Sequence, residues 1–150
     1  MEILKEGKVK IIKGSKDFED ERGKISNYEL AEPINWLGLI TSKAGCIRGN
    51  HYHPIQEQKV LLISGSYIGV YKDINNPNNK IEFQLIQAGD IESILPNIAH
   101  AMVFVEDSVF INLVKGEREH ENFGKHTIPY EVVKLDEVEK YILKYKMKNE

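Results

Sequence analysis

The chain has 150 residues, of which 41% are hydrophobic and 29% charged, and its formal net charge is -3. This length predicts one domain, over residues 1–150, with a core large enough to fold without a disulfide or a structural metal. The charge, with no long basic run, argues against nucleic acid as a partner.

The cysteine content and the lengths of the apolar runs exclude further classes of protein. Cys46 is the only cysteine, which rules out an intramolecular disulfide and zinc sites built from several cysteines. The N-terminal segment lacks the apolar core of a signal peptide, and the apolar runs are too short to cross a bilayer. The sequence therefore predicts a cytoplasmic protein with no membrane partner.

Most of the chain has the pattern of β-strands. Segments rich in Val, Ile, Phe and Tyr are separated by Gly, Asn and Asp turn signals, at a spacing typical of a sandwich or small barrel. In chain order these segments are KVLLISGSYIGVYKDI, KIEFQLI, AMVFV and SVFINLV. We predict an all-β domain whose barrel spans about residues 20–130.

The C-terminal segment has helical spacing instead. Val138, Tyr141, Ile142 and Tyr145 recur at positions i, i+3, i+4 and i+7. An amphipathic helix over about residues 136–147 follows from this pattern. Its apolar face is expected to close one side of the barrel or to contact a second copy of the chain.

The segment RGNHYHPIQEQ carries two histidines, His51 and His53, one residue apart. Because side chains alternate along a strand, both imidazoles should point to the same side. Pro54 predicts a bend directly after them. His100 follows a separate turn, ILPNIAH, and can join the pair from a neighbouring strand.

These residues resemble the two sequence signatures of the cupins. The resemblance implies an antiparallel jelly-roll β-barrel with a C-terminal α-helix. Asn97 occupies a position where the second signature usually has glycine, and asparagine tolerates the left-handed conformation that this position requires. The matching residues are Gly45, His51, His53, Glu57 and Gly65 for the first signature, and Gly89, Pro96 and His100 for the second.

Three segments narrow the resemblance within the cupins. DERGK (20–24) and LPNIAHAM (95–102) are similar to elements of nucleotide-sugar 3,5-epimerases and the related ketoisomerases. TSKAGCIRGNHYH (41–53) resembles the cupin domain of capsular-polysaccharide sugar enzymes. The resemblance implies an epimerase or ketoisomerase for a dTDP- or UDP-linked 4-keto-6-deoxyhexose, a role in polysaccharide synthesis and a homodimer.

The residue at the cupin ligand position distinguishes metal binding from proton transfer. In the cupin signature six residues separate the glutamate ligand from the closing glycine, and counting back from Gly65 reaches Gln58 rather than Glu57. A slip of one residue on a strand turns a side chain to the other face. The site therefore presents a neutral amide, which favours histidine acid–base chemistry with no required cofactor.

A metal remains an option on this sequence. His51, His53 and His100, with Gln58 or Glu57, would form a donor set suited to zinc, nickel, iron or manganese. A metal-dependent, oxygenase-like cupin and a non-catalytic sugar-nucleotide-binding cupin are the two alternatives to the enzyme described above.

The resemblance also implies roles for single residues. His51 and His53 are the candidate catalytic residues. Arg48 and Arg22 are expected to bind phosphate, which bidentate guanidinium groups suit. The remaining predicted substrate-binding residues are Asn50, Gln58 and Lys59, although the register that turns Gln58 inward should turn Lys59 outward.

A proton donor opposite the histidines is missing from the sequence pattern. The 3,5-epimerases carry a tyrosine on a strand after the second signature, whereas this region reads INLVKGEREHENFGKHT. Nothing in the sequence places His120 or His126 in the pocket. A single epimerisation or a keto-isomerisation is therefore favoured over epimerisation at two carbons.

Overall fold

The computed structural model describes residues 8–76, 78, 80–115 and 127–148, in which antiparallel strands predominate. A 3-10 turn at Leu135–Glu137 leads directly into the helix. The elements are β1 (Val9–Lys13), β2 (Ser15–Asp20), β3 (Gly23–Asn27), β4 (Trp36–Ser42), β5 (Ile47–Tyr52), β6 (Gln58–Ser64), β7 (Ser66–Asp73), β8 (Glu82–Gln87), β9 (Asp90–Ile94), β10 (Ile98–Phe104), β11 (Ser108–Val114), β12 (Ile128–Pro129) and α1 (Val138–Lys148).

Two five-stranded sheets form the body of the fold. The first has the order β1-β9-β6-β11-β4 and the second the order β12-β5-β10-β7-β8, while β2 and β3 form a separate hairpin. Alternate residues of the strands face the space between the sheets, as in other face-to-face sheet packings. The inward-facing apolar side chains include Val60, Leu62, Met102, Phe104 and Phe110.

This architecture confirms the prediction of an all-β jelly-roll barrel with a C-terminal helix. The sheet begins earlier than the predicted boundary near residue 20, because Val9 to Lys13 pair with β9. Asn97 has a φ of 66°, the left-handed conformation expected from its place in the turn before β10.

Helix α1 covers the outer face of the second sheet, which confirms that its apolar stripe closes one side of the barrel. Val138 and Ile142 are buried against β7 and β10 residues. The rings of Tyr141 and Tyr145 meet that of Phe83 edge-on. The helix begins at Val138 rather than 136, because the preceding residues take the 3-10 conformation. It lacks the length and the apolar run that a membrane-spanning helix needs.

A fully buried carboxyl group, Glu92, connects the two sheets. Tyr67 Oη donates a hydrogen bond to Glu92 Oε1 at 3.0 Å, and Tyr71 Oη donates one to Oε2. A Cβ atom at Gly69, between the two tyrosines, would lie 2.5 Å from Glu92 Oε2, so only glycine leaves room there. Burial raises the pKa of Glu92 to about 7, although the tyrosine hydrogen bonds act in the opposite direction.

Glu92 should make the stability of the fold depend on pH. Between the ordinary glutamate pKa and about 7, the folded protein holds a proton that the unfolded chain releases. The free energy of unfolding should therefore fall as the pH rises through this window, by roughly 3 kcal/mol from this group. The variant Glu92→Gln should lack this fall, because an amide of the same shape does not titrate.

Urea unfolding of both proteins at pH 5 and pH 8 measures the effect. Burial lowers the pKa of His100 to about 3, so His100 makes stability rise with pH below its ordinary value. That contribution is present in both proteins, and the difference between them isolates Glu92. The same pH dependence in the two proteins would contradict the assignment.

Candidate active site

A β-bulge in β5 brings Arg48 and His51 to the same face of the second sheet. Opposite β10, β5 has one residue more than its partner strand at this point. Gly49 has a φ of 87° and Asn50 a φ of 57°, so both take left-handed conformations. In a regular strand, residues three apart face opposite sides. Because of the extra residue, Arg48 and His51 instead share one face, and both side chains face the interior of the barrel.

Asn50 has a structural role in this bulge. Its Oδ1 accepts hydrogen bonds from the backbone N–H groups of Val132 at 2.9 Å and Val133 at 3.0 Å, and its Nδ2 donates to the Val133 carbonyl at 2.9 Å. The Asn50 amide thus ties β5 to the segment before α1, and its substrate-binding role stays a prediction.

Three imidazoles cluster at one mouth of the barrel. His51 and His53 come from β5 and the residue after it, and His100 comes from β10, directly opposite His51. The ring centroids of His51 and His53 are 4.7 Å apart, and that of His100 lies 4.8 Å from His51 and 5.3 Å from His53. His100 is fully buried, which lowers its pKa to about 3 with help from the neighbouring imidazoles.

Gln58 lies beside these rings, at the position reached by counting back from Gly65. Its carboxamide Oε1 is 2.9 Å from His53 Nε2 and 3.1 Å from His100 Nε2. Because Gln58 begins β6 of the first sheet, this contact joins the two sheets at the mouth of the barrel. The group that β6 presents to these two imidazoles is therefore a neutral amide.

Glu57 is held by other partners. Ser93 Oγ donates a hydrogen bond to Glu57 Oε1 at 2.5 Å, and Lys59 Nζ lies 3.0 Å from the same oxygen. Burial alone would raise the pKa of Glu57, but these two hydrogen bonds and the charge of Lys59 outweigh it and lower the pKa. Strand alternation predicts that Lys59 turns outward, into solvent. Its side chain is instead only 13% exposed and contributes to the pocket wall.

The histidine cluster has the spacing of a metal-binding site. One ligand atom from each of His51, His53 and His100 can be chosen so that all lie within 4.8 Å of one another, which suits a divalent cation. The fourth position holds the Gln58 amide, a weak ligand. The nitrogen donors thus fit a metal, and within the described residues the group of possible ligands holds three imidazoles and no carboxylate.

A pocket of about 180 Å³ opens next to the cluster. Pockets for drug-sized ligands are typically ~300–1,000 Å³, so this one suits a single sugar ring. Arg48 in its wall is held by hydrogen bonds from Nε to Ser42 Oγ at 2.5 Å and from Nη2 to the Thr41 carbonyl at 2.9 Å. The apolar wall includes Ile40, Met102, Phe110 and Leu113.

The structure does not bring every predicted residue to this pocket. Arg22 lies at the turn of the β2–β3 hairpin, where its Nε and Nη2 donate to Asp20 Oδ2 at 2.9 Å and 2.6 Å. It does not belong to the pocket wall. His120 and His126 lie outside the described residues.

Sequence reasoning missed one contact of the cluster. Thr127 Oγ1 lies 3.3 Å from His53 Nδ1. The chain positions are 74 residues apart, and the short pairing of β12 with β5 brings them together. No local pattern signals such a contact.

The two sheets form a double-sheet jelly roll, and three histidines converge at one mouth of it. No family model matches the sequence, and no curated protein matches it. The comparison with solved structures, in contrast, finds many chains of this architecture.

Three solved structures illustrate the similarity. The 3,4-ketoisomerase QdtA from Thermoanaerobacterium thermosaccharolyticum, a double mutant in complex with TDP, is 22% identical, with a TM-score of 0.67, and the match covers 81% of this chain and 87% of that one. The dTDP-4-dehydrorhamnose 3,5-epimerase from Sulfolobus tokodaii is 19% identical, with coverages of 83% and 78% and a TM-score of 0.67. The 3'-monoepimerase ChmJ from Streptomyces bikiniensis, in complex with dTDP-quinovose, is 18% identical, with coverages of 79% and 69% and a TM-score of 0.67. The predicted cupin fold is thereby confirmed.

Proposed function

We propose that this chain is an enzyme that isomerises or epimerises a dTDP- or UDP-linked 4-keto-6-deoxyhexose by proton transfer. The observation that carries the proposal is the placement of His51, next to two further imidazoles, on the same inward face as Arg48. Histidine has an ordinary pKa close to neutral pH, which suits a general base. Similarity to the sugar-nucleotide ketoisomerase and epimerases named above supports the substrate class.

The proposed reaction needs one base and a fixed donor. His51 removes the proton from C3, next to the C4 carbonyl, and the C4 oxygen becomes the oxygen of an enediolate. In a 3,4-keto-isomerisation the proton returns to C4, the C3 oxygen becomes the new carbonyl, and the hydroxyl proton passes from O3 to O4. A donor near the developing oxyanion lowers the barrier, and Lys59 in the pocket wall is the proposed donor.

A single base on one face of the ring is consistent with the pocket. Within the described residues, its wall contains no tyrosine that could protonate the opposite face. Return of the proton by the same imidazole delivers it to the same face of the enediolate. This favours keto-isomerisation, or epimerisation at a single carbon with another donor, over epimerisation at two carbons.

The proposed substrate extends beyond the small pocket. A second cavity of about 300 Å³ shares Gln56, Glu57, Lys59 and Leu113 with the first. In the proposed binding mode the sugar lies beside His51 and Arg48 binds the diphosphate. The nucleoside then occupies the second cavity.

Isotope exchange tests the proposed function. The protein is incubated in deuterated water with dTDP- and UDP-4-keto-6-deoxyhexoses, and ring deuterium is measured by mass spectrometry and NMR. We expect one deuterium at C3 or C4 of at least one substrate. No incorporation with any of them would refute the proposal.

A metal-dependent cupin is the second candidate, because three imidazoles can converge on one ion. That function requires a bound redox metal, and loss of turnover on chelation would identify it. For the isomerase or epimerase we propose catalysis without a required cofactor. We also propose a cytoplasmic location and a role in polysaccharide synthesis. A protein that binds a sugar nucleotide without turnover would show affinity but no exchange.

We also propose a homodimer formed through the outer face of the first sheet. Cross-strand partners place Leu39, Ile111, Leu61, Ile91 and Ile12 in one row on this face. The one α-helix of the described chain packs on the other sheet instead. Leu39 is 73% exposed on β4, an edge strand of the sheet. Ile91, by contrast, is only 1% exposed, so the exposed part of the row lies at the β4 edge, and an exposed apolar edge is typical of interaction surfaces.

The variant Leu39→Lys should weaken this dimer. A lysine within the proposed contact would bury a charge or separate the subunits. Analytical ultracentrifugation should show a dimer for the unsubstituted chain and a shift to monomer for the variant. Lys24→Glu, on the exposed β3 strand, is the control and should leave the mass unchanged. A monomeric parent protein would contradict the proposal.

A further inference from the structure

The Gln58 carboxamide contacts two imidazoles at once, and hydrogen-bond chemistry restricts which of its atoms can do so. His100 Nδ1 lies 2.9 Å from the Ile98 carbonyl oxygen, which only accepts hydrogen bonds. Nδ1 of His100 therefore carries a proton. In a neutral imidazole the other nitrogen, Nε2, then has a lone pair and accepts.

A charged His100 would remove this restriction, but its surroundings oppose charge. The side chain is 1% exposed, and its ring contacts a backbone carbonyl, an amide and two other imidazoles. Burial of an ion without a counter-charge is strongly unfavourable. Neutral His100 thus presents a lone pair to the amide of Gln58 at 3.1 Å.

An amide oxygen opposite a lone pair is repulsive, whereas an amide nitrogen donates to it. The two ends of a carboxamide have the same shape and exchange by a half-turn, so hydrogen bonding decides between them. We propose that Gln58 turns its NH₂ group to the rings and donates one hydrogen to Nε2 of His100 and the other to Nε2 of His53. Gln58 is then a positioning residue that sets the tautomer of both histidines.

The contact on the far side of His53 agrees with this assignment. If Nε2 of His53 accepts from Gln58, its Nδ1 carries the proton and donates to Thr127 Oγ1 at 3.3 Å. A hydroxyl oxygen accepts as readily as it donates. His53 and His100 then both present a bare Nε2 to Gln58, beside His51. The benefit to catalysis, a base next to two rings of fixed orientation and tautomer, rests on the proposed function, whereas the tautomers do not.

Side-chain NMR tests the tautomers without a substrate. Long-range ¹H–¹⁵N correlations of the ¹⁵N-labelled protein at pH 8, with a chelator present, identify the protonated nitrogen of each ring. We expect Nδ1–H and a bare Nε2 for both His53 and His100. A proton on Nε2 of either ring would overturn the proposal. Failure of the deuterium-exchange assay would leave this result untouched, so the two proposals fail separately.

The variant Gln58→Met tests the donor itself. Methionine keeps the length of the side chain and removes both N–H groups. We expect the Nε2 resonances of both rings to shift, while His100 keeps its Nδ1 proton through the Ile98 carbonyl. Gln87→Met, at an exposed position at the end of β8, is the matched control and should shift neither ring. Unchanged Nε2 resonances in a folded Gln58→Met protein would contradict the assignment. If the variant does not fold, the spectrum of the parent protein decides the tautomers.

Discussion

The variant His51→Asn is expected to lose ring-deuterium incorporation by roughly 10²–10⁴-fold, the contribution typical of a general base. Asparagine keeps a polar side chain of similar reach but has no group that accepts a carbon-bound proton near neutral pH. Because the bulge at Gly49 and Asn50 is untouched, Arg48 should keep its orientation. Initial rates of exchange in deuterated water, at saturating substrate, measure the loss.

Binding separates this chemical role from a structural one. Calorimetric titration with dTDP should give the same affinity, within a few-fold, for the parent protein and for His51→Asn. Gln87→Met serves as the control for both measurements, since its side chain is exposed and far from the pocket in the register of β8. Exchange by His51→Asn at the parental rate would show that another group is the base.

The variant Gln58→Glu is expected to convert the histidine cluster into a divalent metal site. The glutamate carboxylate would take the position of an amide that lies 2.9 Å and 3.1 Å from Nε2 of His53 and His100. Three imidazoles and one carboxylate form a donor set that suits nickel and zinc. We expect the affinity for either ion to rise by on the order of 100-fold, because changes to the groups that only support metal ligands already alter affinity by ~10–100-fold.

Isothermal titration with nickel and zinc measures this gain. Gln56→Glu adds the same charge elsewhere in the pocket wall, and it should raise the affinity far less. Glu57→Gln in the parent protein tests the other carboxylate, which Ser93 and Lys59 hold. Equal metal affinity in Gln58→Glu and the parent protein would show that the Gln58 position does not face the ion.

Strand alternation and spacing were enough to predict much of this site. His51 and His53 share a face because residues two apart on a strand do so. The count from Gly65 to Gln58 uses the spacing of the cupin signature, which the chain resembles, and the structure places Gln58 beside the rings. Asn97 takes its left-handed conformation because the turn before β10 needs one.

Contacts between distant segments were beyond such reasoning. Glu92 lies in DIESIL, where apolar residues flank the charge and either face of the strand is an equally good candidate for the core. Its burial becomes evident only when β9 lies opposite the tyrosines of β7. Asn50 resembled a ligand-binding residue because its partners, Val132 and Val133, are more than eighty positions away. Lys59 follows the alternation, yet Glu57 and the pocket wall enclose its side chain.

By itself, the sequence determined the strands, the C-terminal helix, the residues that share a strand face and the amide at the ligand position. These features depend on the backbone geometry of a few consecutive residues, which local residue types specify. Tertiary structure alone decided that Arg48 joins His51 across a bulge, that one amide bridges two imidazoles, and that Glu92 is buried between two tyrosines. Each of these depends on the register and packing of strands far apart in the chain, where small differences in pairing decide which side chains meet.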